Sequence, residues 1–223
     1  MPVTPAEVAR EASRAVAEGA LAVHVHARGP DGLETLDSAS CGATLRAVRE
    51  ACPGVPVGLT TGAWIEPDPV HRVVLVHRWE ERPDFASANF SEEGTDELCA
   101  TLLELGIGIE AGLASLADAR AFMASRFADR CLRVLVEVDG DAAEAVRLSE
   151  EIDAELDRAD IELPRVHHGY DIATWAVLEA AVKRGRDLRV GLEDTLVLPD
   201  GRPADHNGEL VAAAVTLAAG RPG

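Results

Sequence analysis

Residues 19–32 read G-A-L-A-V-H-V-H-A-R-G-P-D-G. A glycine that stops a helix, a short apolar run, two histidines two apart and a turn-forming P-D-G follow in direct succession. Side chains at i and i+2 of a strand point to the same side, so His24 and His26 converge at the C-terminal end of this strand. Just upstream, Thr4-Pro5-Ala6-Glu7 is a capping box with proline at the first helical position, and it predicts a helix to about Glu18. Gly19 then ends that helix.

The same alternation continues along the chain. Further helices are expected near 38–51, 69–80, 95–105, 115–126, 141–157, 172–184 and 207–219. Strands are expected near 20–26, 56–60, 84–89, 107–111, 132–137, 164–168 and 188–192. They are short and mostly apolar, as parallel strands covered by helices should be. Eight helices and seven strands in βα order suggest either a doubly wound sheet or a (β/α) barrel. No G-x-G-x-x-G follows a strand, which removes the best signature of a dinucleotide-binding sheet. A TIM-type α/β barrel of about seven parallel strands and eight helices, lacking its first strand, fits the tally better. Such a gap leaves two strand edges that a distorted closure, a loop or a second subunit must cover.

Composition bounds the function. The 223 residues are 47% hydrophobic and 27% charged, enough for one sizeable core, so one barrel domain over 1–223 is expected. A net charge of −18 argues against a nucleic-acid partner, because phosphate binding wants a basic surface. There is no twenty-residue apolar run, so no membrane span is expected. The opening M-P-V-T-P-A-E-V is neither basic nor followed by a long apolar region, so no signal peptide is expected. Cys41, Cys52, Cys99 and Cys131 lack any C-x-x-C pairing and read as reduced core thiols of a cytoplasmic protein.

Barrel active sites gather at the C-terminal ends of strands. Those ends carry His24, His26 and Arg28, then Thr60-Thr61-Gly62, Ser87 and Asn89, Glu110, Glu137 and Asp139, His167 and His168, and finally Arg189, Glu193 and Asp194. His24 and His26 with a carboxylate from another strand would make a two-histidine, one-carboxylate divalent-metal site. Nitrogen-rich ligation at a non-redox site favours zinc and leaves iron, manganese or nickel open. Arg189 and Glu193, four apart, read as sharing one strand face. They are either a rim ion pair, or Glu193 is a metal ligand while Arg189 and Asp194 form a charged pair that handles protons. The Thr60-Thr61-Gly62 stretch is either a helix cap with a turn glycine or a pair of hydroxyls for a substrate carboxylate or phosphate. His167 and His168 read as polar lining, His71 and His77 as surface or packing residues, and Glu137 and Asp139 as rim or supporting groups.

The combination of H-V-H-A-R with P-D-G, L-T-T-G, P-D-F-A-S-A-N-F, I-E and R-V-G-L-E-D-T-L resembles the β-keto acid cleavage enzymes. This is the 3-keto-5-aminohexanoate cleavage family, long carried as a domain of unknown function. Order and spacing agree over nearly the whole chain, and R-V-G-L-E-D is the most specific piece. The resemblance implies a TIM-barrel enzyme with zinc on His24, His26 and Glu193. It implies condensation of a β-keto acid with acetyl-CoA, then cleavage to acetoacetate and a new acyl-CoA. Asp194 paired with Arg189 matches the family's acid–base dyad. Thr60 matches a substrate-carboxylate contact and Ser87 a second, with Thr61 and Asn89 beside them. Glu110 matches an acidic pocket residue able to shuttle a proton.

The departures are equally specific. Family members open with a strand ahead of the V-T-P-A-E helix, which supplies an acidic substrate contact, so that strand and contact are expected to be absent here. Gly29 stands where an aspartate commonly follows the arginine. Two functional readings follow. One is a zinc-dependent, homo-oligomeric β-keto acid cleavage enzyme using acetyl-CoA. The other is a metal-binding relative whose chemistry is lost or changed, acting as a binding module or another metal-dependent lyase or aldolase. The retained ligands and dyad favour the first, and the missing strand favours the second.

Overall fold

The computed structural model describes residues 1–220. Helix α1 (Pro5–Ala17) leads into β1 (Val23–Val25), followed by α2 (Ser38–Ala51), β2 (Val57–Leu59), α3 (Pro69–His77), β3 (Phe85–Asn89) and α4 (Thr95–Glu104). The second half continues with β4 (Gly108–Leu113), α5 (Leu116–Ala124), β5 (Arg133–Val138), α6 (Ala142–Arg158), β6 (Arg165–Gly169), α7 (Thr174–Lys183), β7 (Asp187–Leu188) and α8 (Asn207–Ala219). The strands form one parallel sheet in chain order from β1 to β7. With the eight helices, this is a TIM-type (β/α) barrel, as the alternation predicts.

Local chemistry accounts for the helix starts. Thr4 and Glu7 close the expected capping box. The side chains of Asp37, Asp68, Ser115 and Asp141 each accept from first-turn backbone N–H groups of α2, α3, α5 and α6. Helix α3 ends at His77 rather than near residue 80. There Arg78 and Trp79 N–H groups turn back onto Leu75 and Val76 carbonyls, and buried Trp79 donates to Leu36 O.

Parallel register decides which residues share the inner face. His24 pairs with Gly58, Ser87 with Glu110, Glu110 with Arg133, and Glu137 with His168. Intervening positions such as Val23, Val25, Val134 and Val136 are buried against the helix layer. Gly58 has to be glycine, because the Phe85 ring comes within 2.1 Å of where its Cβ would sit. All four cysteines are free and buried, and burial pushes the Cys41, Cys99 and Cys131 thiols up to about 12. No helix among the described residues is long and apolar enough to cross a membrane.

The seventh strand departs from expectation. It covers Asp187–Leu188 instead of 188–192. An edge strand has a neighbour on one side only, and β7 pairs with β6 alone. After Arg189 N–H bonds His167 O, the chain turns, with Asp194 and Thr195 N–H groups closing onto Gly191 O. Arg189 and Glu193 therefore face each other across a turn, not along one strand face. The edge of β1 is likewise bonded to β2 alone. Across the gap, α1 packs on α8, and Asn207 donates through its backbone N–H and its side chain to Glu11.

Candidate active site at the barrel mouth

The mouth is built from the ends of β1 to β6 and the turn after β7. His24 and His26 arrive on one face of β1, and the turn brings Glu193 to meet them. Each of the three offers one donor atom, and these atoms all lie within 4.8 Å of one another. His26 Nε2 is 3.3 Å from Glu193 Oε2. The other Glu193 oxygen, Oε1, accepts from Arg189. Two imidazoles and a carboxylate at this spacing form a donor set that could hold a divalent metal. His24 supports the fit, since its buried Nδ1 has no hydrogen-bond partner. Burial, followed by the charges of Arg189, His26, His168 and Arg133, pushes His24 well below its ordinary value, toward the neutral form a ligand requires.

Beneath His24 lies Glu110, fully buried. Its Oε2 accepts from Arg133 Nε at 2.5 Å, and its Oε1 faces His24 Nδ1 at 3.9 Å. The Arg133 guanidinium also stacks over the Phe85 ring at 4.5 Å. The inner face is therefore layered, with an aromatic and an arginine low down, the arginine-paired carboxylate of Glu110 above them, and imidazoles at the top.

Asp194 is 1% exposed and its direct partner is His168, whose Nδ1 lies 3.0 Å from Oδ1. This corrects the expected dyad. Arg189 bonds Glu193 and acts on Asp194 only as a through-space charge. Burial alone would raise the Asp194 carboxyl, but the charge and hydrogen bond of His168, with Arg189, hold it below its usual value. For His168, burial and Arg189 push downward, and the Asp194 and Glu137 carboxylates outweigh them. Glu137 Oε2 lies 3.4 Å from His168 Nε2 and accepts from Tyr170 O–H at 3.4 Å. His168 thus links two carboxylates across adjacent elements, more than the lining expected of it.

The hydroxyl-bearing positions divide by strand parity. Thr60 shares the inner parity of Gly58, and its Oγ1 accepts from Gly62 N–H at 3.3 Å. Thr61 has the opposite parity and donates to Ser87 O, which ties β2 to β3. Ser87 is 8% exposed beside Glu110. Asn89 donates to Glu92 Oε1 at 2.9 Å, and Ala63 N–H donates to the same oxygen at 2.9 Å. Glu92 Oε2 lies 3.1 Å from Nη1 of fully buried Arg72. Glu92 thereby ties both α3 and the loop after β2 to the loop after β3. Within α3, Arg72 looks like any exposed helix residue, so the sequence offers no signal for it. His71 lies on the outside against Glu66, as expected.

Comparison with known proteins places these residues in a wider context. The sequence model of the beta-keto acid cleavage enzyme family matches residues 1–137 and 166–221. A 3-keto-5-aminohexanoate cleavage enzyme of Fusobacterium nucleatum subsp. nucleatum is 29% identical over 238 residues, covering 98% of this chain and 84% of that enzyme. One from Acetoanaerobium sticklandii is 27% identical over 246 residues, covering 100% and 86%. Among solved structures, the ternary complex of ObcA with a C4-CoA adduct and oxalate superposes with a TM-score of 0.79 at 17% identity. That match covers 99% of this chain, which spans only 64% of the ObcA chain. A type I 3-dehydroquinate dehydratase from Clostridium difficile superposes at 0.65 with 11% identity, over 96% of this chain and 88% of that one. At these identities the structural likenesses speak for the fold alone.

Proposed function

The chain belongs to the beta-keto acid cleavage enzyme family, and on that premise we propose that it transfers an acyl group from a β-keto acid to coenzyme A. In this reaction acetyl-CoA and a β-keto acid give acetoacetate and a new acyl-CoA. One observation carries the reading. Three potential metal donors, His24, His26 and Glu193, meet at the mouth beside a buried Asp194–His168 pair.

A divalent metal on those three residues, with zinc the favoured ion, would act as a Lewis acid toward the keto oxygen. The chain's own groups then divide the remaining work. Asp194, held ionised by His168 and Arg189, takes a proton from the carbon between the substrate's keto and carboxylate groups. That carbon bonds the acetyl carbonyl carbon of acetyl-CoA and expels CoA thiolate. The thiolate attacks the original keto carbon, and the carbon–carbon bond breaks to release acyl-CoA. Asp194 returns its proton to the carbon of the departing acetoacetate, so atoms and charge balance. Thr60 and Ser87 lie on the inner face where a substrate carboxylate would rest, with Asn89 and Thr61 holding the surrounding loops. Glu110, paired with Arg133 directly below His24, is placed to carry a proton between layers. ObcA, which shares this fold and binds a C4-CoA adduct, supports coenzyme A as the acyl carrier.

The unpaired edges of β1 and β7 favour a second reading, in which the metal site is retained but the condensation is replaced by another lyase or aldolase reaction, or by binding alone. Turnover separates the two. The purified protein is expected to convert a member of a β-keto acid panel only when acetyl-CoA is supplied. Turnover without acetyl-CoA, or none with any member, would favour the second reading. A homo-oligomer covering the open edges is part of the proposal, and sedimentation at assay concentration checks it.

A further inference from the structure

One carboxylate at the mouth lies outside the scheme above. Glu34 stands at the end of the P-D-G turn, where it forms an isolated antiparallel bridge with Arg28. Its oxygens divide three partners. Oε1 lies 3.1 Å from His26 Nδ1 and 3.2 Å from Arg28 Nη2. Oε2 accepts from the Trp64 indole N–H at 2.8 Å. The Trp64 ring stacks beside His26 at 28°, with centroids 6.1 Å apart. It also fills the space over Gly62, where a Cβ would meet the ring at 2.1 Å.

We propose that Glu34 is the positioning residue of the metal centre: it fixes His26 as the Nδ1–H tautomer and so aims Nε2 at the metal. The inference rests on the metal reading of His24, His26 and Glu193. A neutral imidazole that gives one nitrogen to a metal carries its proton on the other, and a carboxylate at that other nitrogen favours the arrangement. His26 has Glu34 at Nδ1 and Glu193 at Nε2, on opposite sides of the ring. Nδ1 therefore donates to Glu34, and the Nε2 lone pair points to where Glu193 presents its oxygen. A carboxylate in that place raises ligand basicity and locks the ring's orientation. Trp64 completes the clamp by holding the second Glu34 oxygen and screening one face of the imidazole from water. The turn after β1 and the loop after β2 are thereby joined through one side chain.

The test uses the full chain and two variants, Glu34→Ala and Glu34→Gln. In metal-free wild type, long-range 1H–15N correlations are expected to show His26 protonated on Nδ1. In Glu34→Ala the Nε2–H form should gain population, while the His24 signals and the thermal midpoint stay near wild type. Zinc affinity, read by chelator competition, should fall roughly 10- to 100-fold in Glu34→Ala. Glu34→Gln keeps an acceptor and loses the charge, so it should lie between the two. Zinc binding by Glu34→Ala within about twofold of wild type, or a wild-type His26 protonated on Nε2, would overturn the proposal. Absence of zinc binding in the wild type would sink the metal reading itself. The tautomer, read without metal, would still decide whether Glu34 sets His26.

Discussion

Replacing Glu92 by glutamine should reveal how much the mouth depends on a pair outside the candidate metal-donor set. Arg72 is fully buried, and its Nη1 is 3.1 Å from Glu92 Oε2. The other Glu92 oxygen receives Ala63 N–H and Asn89 Nδ2, both at 2.9 Å. Glutamine matches the shape but offers a single carbonyl. If that oxygen stays with Ala63 and Asn89, the amide NH2 turns toward Arg72 and leaves the guanidinium without a counter-charge. Breaking a buried pair this way costs about 3–5 kcal/mol, a large part of a typical stability of roughly 5–15 kcal/mol. At about 2–4 °C per kcal/mol for a chain of this size, the thermal midpoint should drop by roughly 6–20 °C. The double variant Arg72→Met/Glu92→Gln should recover part of the loss, because removing both charges leaves none stranded. In turnover, KM should rise more than kcat falls, since the side chain that anchors the loop bearing Thr60 to Ala63 is no longer fixed by Arg72, while the Asp194–His168 pair stays intact. Circular-dichroism melts of the three proteins test this. A single variant within about 2 °C of wild type, or a double variant no better than the single, would refute the reasoning.

Asp194→Asn should retain the metal and lose about 10²- to 10⁴-fold in kcat, the span expected when a general base is removed. Steady-state rates beside metal analysis check this, and an unchanged kcat would take Asp194 out of the proposed mechanism. On the outer face of β6, His167 points away from the mouth instead of lining it, and Asp153 of α6 faces His167 at 3.4 Å, Arg165 at 2.9 Å, Arg184 at 3.2 Å and Arg186 at 3.3 Å. Burial would raise its carboxyl, but His167 first, then Arg165 and Arg186, hold it well below the ordinary 3.8. A depressed carboxyl contributes stability that is fully present above its unfolded value and lost as pH falls below it. The wild type should therefore lose stability steeply below about pH 4, while Asp153→Asn is less stable at neutral pH and flatter in acid. Acid titrations of unfolding free energy with equal slopes for both proteins would contradict this.

Much of this was legible in the residues. Alternating apolar runs and the capping box at Thr4 give the βα order, because both signals are local. H-x-H at a strand end and R-V-G-L-E-D supply the three candidate metal donors, because chemistry at strand ends is where a barrel concentrates it. The partner of Asp194 was not legible. His168 reads as lining until the parallel register brings β6 beside the turn after β7. Glu34 carries only the signal of a carboxylate shortly after P-D-G, and its role depends on a turn folding back onto His26. Arg72 and Glu92 meet only through packing of α3 against the loop after β3. Strand β7 is shorter than its apolar run for a related reason. An apolar run marks a strand, while pairing on one side alone decides where it ends.

The central claim is that His24, His26 and Glu193 hold one divalent metal. Elemental analysis of untagged wild type, His24→Ala and Glu193→Ala, each incubated with zinc and then gel-filtered, tests it most directly. About one equivalent of zinc is expected in the wild type and essentially none in either variant. Full occupancy in a variant, or no metal in the wild type, would contradict it.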